Sequence, residues 1–120
     1  MRWLISIEKA KALKDAGLRW VAKGGDCYFY ANGEFTGDFI IKSDPGEPVV
    51  RQMDCQIWLP RLDQLLTEIE KRRYRGMWSA GKCHDGKYFV CLYPVKLFHG
   101  DTPEDVVADA LLWILRQERK

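Results

Sequence analysis

The sequence predicts an α+β fold, an antiparallel β-sheet packed against helices in the order αβββ-αββ(β)α. Two segments, 60–73 and 103–116, carry apolar residues at helical spacing between typical helix start and stop signals. Short stretches with alternating apolar residues lie around them and are separated by glycine-containing turns. Strands that follow one another through short turns pair antiparallel, and helices can cover the apolar face of such a sheet.

The first helix is predicted to begin after Ser6, whose side chain suits the N-cap position. Its buried side is marked by Ile7, Ala10 and Leu13. The helix is expected to end near residue 16, because Gly17 can adopt the left-handed conformation that closes a helix.

Strands are predicted on both sides of this helix, over residues 1–5, 18–23, 27–31 and 34–42. Asn32-Gly33 is a strong hairpin signal between the last two. Residues 43–54 form a connector, because two prolines and a glycine within four residues exclude a helix there. We expect one domain over residues 1–120, built from an N-terminal portion (1–42) and a C-terminal portion (55–120).

The stretch 58–74 is predicted to contain the central helix of the molecule, over residues 60–73. Its apolar side consists of Leu62, Leu65, Leu66 and Ile69. Pro60 suits the first helical position, where a missing N–H has no cost. Such an amphipathic helix requires an apolar surface to lie on.

The second portion continues with predicted strands over 76–80, 87–93 and 95–99. The middle strand is apolar on both faces, which indicates a central strand covered on both sides. In the last helix Thr102 is the expected N-cap and Pro103 the first residue, and Asp105 is expected to complete a capping box with Thr102.

Composition limits the classes of function. The chain of 120 residues is 47% hydrophobic and has a formal charge of +2, which argues for a folded core and does not favour nucleic acid as the partner. No apolar run approaches the roughly 18 residues that span a bilayer, and the first residues do not fit a signal peptide. Cytoplasmic location in a bacterial host cell, with no membrane contact, is the expectation. Four cysteines without a CxxC pair are expected to be buried or half-buried thiols, with no metal and no cofactor.

Three stretches, ALKDAGL (12–18), WLPRLDQLL (58–66) and TPED with ADALL (102–112), resemble a widespread type of small phage and prophage protein, similar to the phage ABA sandwich group. The resemblance covers most of the chain, but its motifs are helix caps and core positions. It therefore implies a context, a mobile-element protein in a bacterial cytoplasm, and no catalytic residue.

Catalytic motifs for phosphate, nucleotide, ester and metal-dependent hydrolysis chemistry are absent from the sequence. Cys83 and His84 could form an activated thiol–imidazole pair, which defines the alternative function of a small hydrolase. The competing interpretation is a solvent-exposed turn, because neighbouring residues on a strand point to opposite faces. We expect no enzyme.

A basic and aromatic run is the strongest candidate for ligand binding. Its residues are Arg72, Arg73, Arg75, Trp78, Lys82, His84 and Lys87. Guanidinium groups bind phosphate in pairs of hydrogen bonds, and aromatic rings stack on bases. The alternative interpretation is a helix C-terminus with cations that suit its dipole.

A second aromatic set could form an interface. It consists of Trp20, Tyr28 and Tyr30, with Trp113 on the last helix. Such residues are usually core, but any that stay exposed would mark a protein or subunit contact. The two-sided apolar strand 87–93 and Trp113 make a homodimer the hypothesis for oligomeric state.

The predicted function is a non-catalytic phage or mobile-element binding protein that acts by occupancy. Counter-defence fits this context, either by sequestering a nucleotide signal or by blocking a host defence protein. The first form predicts a pocket lined by cations and aromatic rings, and the second predicts an exposed patch.

Overall fold

The computed structural model describes residues 5–21, 23–30, 39–40, 56–72, 78–92 and 96–118. Within these ranges the chain forms three helices and two three-stranded antiparallel sheets, which confirms the predicted α+β fold. The helices are α1 (Ile7–Asp15), α2 (Leu62–Arg72) and α3 (Pro103–Glu118). The strands are β1 (Cys27–Tyr30), β2 (Phe39–Ile40), β3 (Gln56–Leu59), β4 (Trp78–Lys82), β5 (Tyr88–Leu92) and β6 (Lys96–Gly100).

The first sheet has the strand order β2-β1-β3. Its register places Cys27 opposite Leu59 and Phe29 opposite Ile57. All four side chains are buried, so this face of the sheet packs on the helices. The intervening residues of β1 and β3 therefore point to the other face.

The predicted helix 60–73 begins later than expected. It starts at Leu62, so Pro60 is not the first helical residue, and the strand β3, which ends at Leu59, was not predicted. Trp58 of this strand pairs across the sheet with Tyr28. The strand was missed because this cross-strand pairing is a tertiary contact that helical periodicity does not reveal.

α2 begins at Leu62 and is capped by an arginine. The Arg61 carbonyl accepts a hydrogen bond from the Leu65 N–H at 2.9 Å, which places Arg61 at the N-cap. The Arg61 N–H donates to Gln64 Oε1 at 2.9 Å. Gln64 thus supplies the N3 side-chain half of a capping box without a serine or threonine at the cap.

The second sheet has the order β4-β5-β6, so β5 is central as predicted. Val90 and Leu92 on its inner face are almost fully buried. Phe89 and Cys91 on its outer face are only half-buried, and Leu97 on β6 is 52% exposed. The expectation that both faces are covered is therefore correct for the inner face only.

α1 has the predicted start and end. The Ser6 hydroxyl accepts from the Lys9 N–H at 3.4 Å. Gly17 has a φ of 104°, and the Leu18 N–H donates to the Leu13 carbonyl at 3.0 Å, the bond that defines a Schellman motif.

The start of α3 differs from the prediction in one respect. The Asp105 N–H donates to Thr102 Oγ1 at 3.2 Å, as expected for an N-cap threonine. The Asp105 carboxylate, however, accepts from the Ser6 N–H at 2.8 Å instead of returning to Thr102. The predicted capping box is therefore only half formed, and its second half ties α3 to α1.

α3 is the element on which the others pack. It contacts α1, α2, β5 and β6, while α1 also contacts β3, so packing runs from the first sheet through the helices to the second sheet. Leu65, Ile69 and Leu111 are completely buried in this core. Ile7, predicted on the buried side of α1, is 46% exposed. None of the three helices, over the described residues, has the length and apolar content needed to cross a bilayer.

The predicted strand over 18–23 is wrong in its described part, because residues 18–21 have no regular structure and Lys23 and Gly24 form only an isolated bridge. The predicted strand at 1–4, the Asn32-Gly33 hairpin and the connector 43–54 lie outside the described residues.

Candidate ligand-binding groove

Aromatic side chains cover the outer face of the first sheet. Tyr28 on β1 lies opposite Trp58 on β3, and both alternate with buried neighbours. The Tyr28 and Tyr30 rings meet edge to face, with centroids 5.5 Å apart. All three rings are half-buried.

Trp20 completes this aromatic row from the segment that precedes β1. Its indole lies parallel to that of Trp58, with an interplanar angle of 3° and centroids 6.4 Å apart. It also contacts the Tyr28 ring at 5.9 Å. The structure therefore brings Trp20, Tyr28 and Tyr30 together, as the sequence analysis considered, and adds Trp58.

A buried carboxylate holds Trp20 in this orientation. Asp26 is only 4% exposed. Its oxygens accept hydrogen bonds from Trp20 Nε1 at 2.9 Å, from the Lys23 N–H at 3.0 Å and from Gln64 Nε2 at 2.8 Å. A buried carboxylate requires such donors, and three of them fix its position.

Arg61 adds a cation to the same cluster. Its Nη1 donates to the Gly25 carbonyl at 3.0 Å and lies 3.8 Å from Asp26 Oδ1. The start of α2 is thereby joined to the turn before β1, since Arg61 and Gln64 both belong to the first turn of that helix.

A groove of about 340 Å³ lies beside Trp20, Trp58, Asp26 and Gln64, and we call it the aromatic groove. Its lining consists of Arg19, Trp20, Val21, Lys23, Asp26, Trp58, Asp63, Gln64, Thr67, Glu68 and Lys71. Lys71 forms an ion pair with Glu68 at 3.2 Å. Arg19 and Lys23 are exposed, and within the described part of the chain neither side chain has a carboxylate partner.

One donor beside this groove is unsatisfied. Trp58 Nε1 is buried and has no hydrogen-bond partner among the described residues. Such groups are uncommon in folded proteins, because a buried donor without an acceptor loses its hydration without compensation.

The basic and aromatic run predicted from the sequence is divided between two places. Arg72 bonds to Glu68 Oε1 at 2.7 Å, and Trp78 Nε1 donates to Glu70 Oε2 at 3.0 Å. Lys82, at the other end of β4, lies about 13 Å from Trp78 along the strand.

The rest of the run lies near the β4–β5 hairpin. The Lys82 Nζ lies 5.7 Å from the Tyr88 ring centroid, Lys87 pairs with Asp101 at 3.8 Å, and His84 is exposed. Arg73 and Arg75 lie outside the described residues. The described members therefore do not form one cluster, and a ligand-binding role for this run stays a prediction.

Trp113, the fourth residue of the predicted interface, lies far from the aromatic row in sequence and packs against the hydrophobic core from α3. It is half-buried. Its role in a subunit contact stays a prediction.

The residues of the alternative hydrolase lie at the β4–β5 turn. The Cys83 N–H donates to the Lys87 carbonyl at 2.6 Å, which closes the turn, and the Asp85 carboxylate accepts from the Lys87 N–H at 3.0 Å. His84 is exposed between them. Nowhere in the described ranges do three or more His, Cys, Asp or Glu residues form a group that could hold a metal ion.

Neither protein families, nor curated proteins, nor solved structures give a significant match to this chain. The geometry of the aromatic groove therefore carries the functional argument.

Sequence reasoning missed most of this groove. Asp26 is not among the predicted site residues, and Trp58 is assigned only to the stretch that contains the central helix. A local signal for Asp26 exists, because an aspartate after two glycines often bonds to nearby backbone N–H groups. No local signal points to Gln64 or to the parallel arrangement of Trp20 and Trp58, since both depend on contacts distant in sequence.

Proposed function

We propose that this chain is a non-catalytic binding protein that holds a planar, anionic ligand of nucleotide type in the aromatic groove. The observation that carries the proposal is the parallel Trp20–Trp58 pair beside two cations, Arg19 and Lys23, that have no acidic partner in the described residues. Aromatic rings bind bases through their faces, and unpaired cations bind phosphate.

The aromatic groove is preorganised for such a ligand, because the orientation of the Trp20 ring is fixed before the ligand binds. Asp26 accepts a hydrogen bond from Trp20 Nε1 at 2.9 Å, and Gln64 Nε2 in turn donates to Asp26 at 2.8 Å and holds the carboxylate in place. A ring that is already oriented loses little conformational entropy when a base stacks on it. Preorganisation of this kind favours tight occupancy and requires no catalytic group.

Among the described lining residues, three carboxylates, Asp26, Asp63 and Glu68, lie beside three cations, so a phosphorylated ligand would bind through the cations alone. Arg19 and Lys23 stand near Trp20 in the chain, and Lys71 reaches the groove from α2. Lys71 is 65% exposed and its pair with Glu68 is solvent-screened, so a phosphate can compete for it. A ligand with one base and one or more phosphates would use both the rings and the cations.

The biological role proposed with this site is counter-defence by a phage or mobile element, through sequestration of a nucleotide signal in the bacterial cytoplasm. The second form, blocking a host defence protein, is favoured by one observation: Val21 is 69% exposed beside the aromatic row. Exposed apolar residues next to tryptophan and arginine are typical of protein interfaces.

Binding of purified protein to a panel of mono-, di- and cyclic nucleotides tests the proposal, measured by titration calorimetry and tryptophan fluorescence. We expect saturable binding that Trp20→Leu weakens about tenfold. The double variant Arg19→Gln/Lys23→Gln should lower the affinity for phosphorylated ligands and leave the affinity for the free nucleoside unchanged. Lys96→Gln is the matched control, because Lys96 is an exposed cation on the second sheet.

Mass spectrometry of molecules released by heating provides a test without a chosen ligand. Release of an intact phosphorylated compound from the wild type, and not from Trp20→Leu, supports sequestration. Absence of nucleotide binding, combined with capture of one host protein that Val21→Lys abolishes, would replace sequestration by protein blocking.

A homodimer is part of the proposal and concerns a different surface. Leu97 lies on the edge strand β6, on the outer face of the second sheet, and is 52% exposed. Sedimentation velocity over a range of concentrations should detect the dimer, and Leu97→Glu should dissociate it. A monomer at every concentration contradicts this part.

A further inference from the structure

We propose that a second groove of this protein binds a medium-chain aliphatic carboxylate, with the chain against apolar walls and the carboxylate on Lys82. This groove, called the apolar groove here, lies between α2 and β4 and is closed at its base by α3 and β5. It has a volume of about 290 Å³ and is separate from the aromatic groove.

The groove exists because α2 and the second sheet both pack on α3, while the backbones of α2 and β4 stay apart over their described residues. The Trp78 side chain of β4 reaches Glu70 of α2 at 3.0 Å, at the other end of the strand from Lys82. Ala80, the β4 residue that faces α2 across this gap, has too small a side chain to fill it.

The two grooves use different sides of α2. Leu62 and Leu66 line the apolar groove, while Gln64, Thr67 and Glu68 line the aromatic groove. Leu62 and Leu66 are four residues apart and therefore lie on one side of the helix. Because the two grooves have no described lining residue in common, a ligand in one does not contact a ligand in the other.

The walls of the apolar groove are hydrocarbon. Leu62 and Leu66 from α2 face Val106 and Val107 from α3, with Val90 from β5 at the base. None of the described residues that line it is acidic. Burying an aliphatic chain against such walls is favourable in proportion to the apolar area removed from water.

Lys82 lies at the edge of these walls and is the one cation among the described lining residues. Lys82 lies on the same face of β4 as Ala80, and its Nζ lies 5.7 Å from the Tyr88 ring centroid. Within the described part of the chain Lys82 has no carboxylate partner. The ammonium group is therefore held near the groove by the ring and available to an anion.

Apolar walls with one cation at the edge define the chemical class of the ligand. A carboxylate with an aliphatic tail satisfies both features, while a nucleotide would bring several charges to a single ammonium group. The volume of about 290 Å³ lies just below the range of small-molecule sites, roughly 300–1,000 Å³, which favours a chain of medium length.

Titration with a series of straight-chain carboxylates, from hexanoate to dodecanoate below micelle formation, tests the proposal. We expect the affinity to rise about fourfold per added methylene until the groove is full, and then to level off. Lys82→Gln should lower the affinity for decanoate about threefold and leave the affinity for decanol unchanged, because only the carboxylate forms an ion pair with the ammonium group. Lys87→Gln is the matched control from the same hairpin.

A variant that fills the groove gives an independent test. Ala80→Phe places a ring between α2 and β4 and should abolish decanoate binding, whereas Ser79→Phe, on the opposite face of the same strand, should retain it. Circular dichroism establishes that both variants are folded. Absence of saturable binding, an affinity independent of chain length, or full binding by folded Ala80→Phe would overturn the proposal.

Discussion

Trp20 donates its indole N–H to Asp26 Oδ2 at 2.9 Å, and this bond fixes the ring that stacks on Trp58. Asp26 thereby stabilises the fold and also positions an aromatic ring of the groove. It connects the segment before β1 with the first turn of α2, because Gln64 donates to the same carboxylate.

Removal of this carboxylate should destabilise the fold. Asp26→Ala leaves Trp20 Nε1, the Lys23 N–H and Gln64 Nε2 without their acceptor, and we expect the free energy of unfolding to fall by about 3 kcal/mol. Urea denaturation measures the change. Asp63→Ala is the control, because the Asp63 side chain is 73% exposed and its ion pair with Arg61 is screened by water. Equal losses in the two variants would show that Asp26 has no special role.

The bond between the Ser6 N–H and Asp105 predicts local opening of α1. Asp105→Ala should lower stability by about 1 kcal/mol and raise hydrogen exchange in the first turn of α1, because α3 then no longer holds that end. Lys9 and Asp109 form a second contact between the two helices, so α1 should loosen without detaching.

Asp101→Ala provides the control for this second prediction. The Asp101 side chain is 87% exposed and precedes the same helix, so its removal should leave exchange in α1 unchanged. Unaltered exchange of the α1 amides in Asp105→Ala would contradict the prediction.

Much of the fold follows from local sequence signals. The caps Ser6 and Thr102, the terminating Gly17 and the central position of β5 are all where the sequence places them. Each of these features depends on a few neighbouring residues. A capping residue bonds to backbone groups of its own helix end, so it can be predicted without knowledge of the tertiary structure.

The failures have tertiary causes. Asp105 bonds to Ser6, 99 residues away, and Trp58 pairs with Tyr28 across the sheet. Neither pair can be predicted from the spacing of residues in the sequence, because hydrophobic periodicity and secondary-structure propensity describe one helix or strand at a time. The same limit applies to the aromatic groove, whose Asp26–Gln64 bond spans 38 residues.

Arg72 provides a test of the two interpretations of the basic run. Its Nη1 bonds to Glu68 and its Nε lies 3.5 Å from Glu118 on α3, and the side chain is only 20% exposed. If these contacts are structural, Arg72→Ala should reduce stability by about 1 kcal/mol and leave nucleotide affinity unchanged. Lys71→Ala, beside it on α2 and 65% exposed, should change stability by less than about 0.5 kcal/mol. Loss of nucleotide binding in folded Arg72→Ala would favour the ligand-binding interpretation instead.

Gly100 permits the close approach of β6 to α3. A Cβ atom at this position would lie 2.6 Å from Val106 Cγ2, and Val106 is 1% exposed and has a stiff side chain. Gly100→Ala should therefore destabilise the protein by about 2 kcal/mol through overpacking. At Gly81 the added Cβ would meet the Phe89 ring at 2.9 Å, but this ring is only half-buried, so it can shift with a smaller loss of packing and Gly81→Ala should cost less.

A double-mutant cycle separates overpacking from a backbone effect. Val106→Ala removes the methyl group that the new Cβ would strike, so Gly100→Ala should be much less destabilising in that background than in the wild type. Denaturant midpoints of the four proteins measure the coupling. Simple additivity of the two single changes would mean that the strain lies in the backbone at Gly100 and not in its contact with Val106.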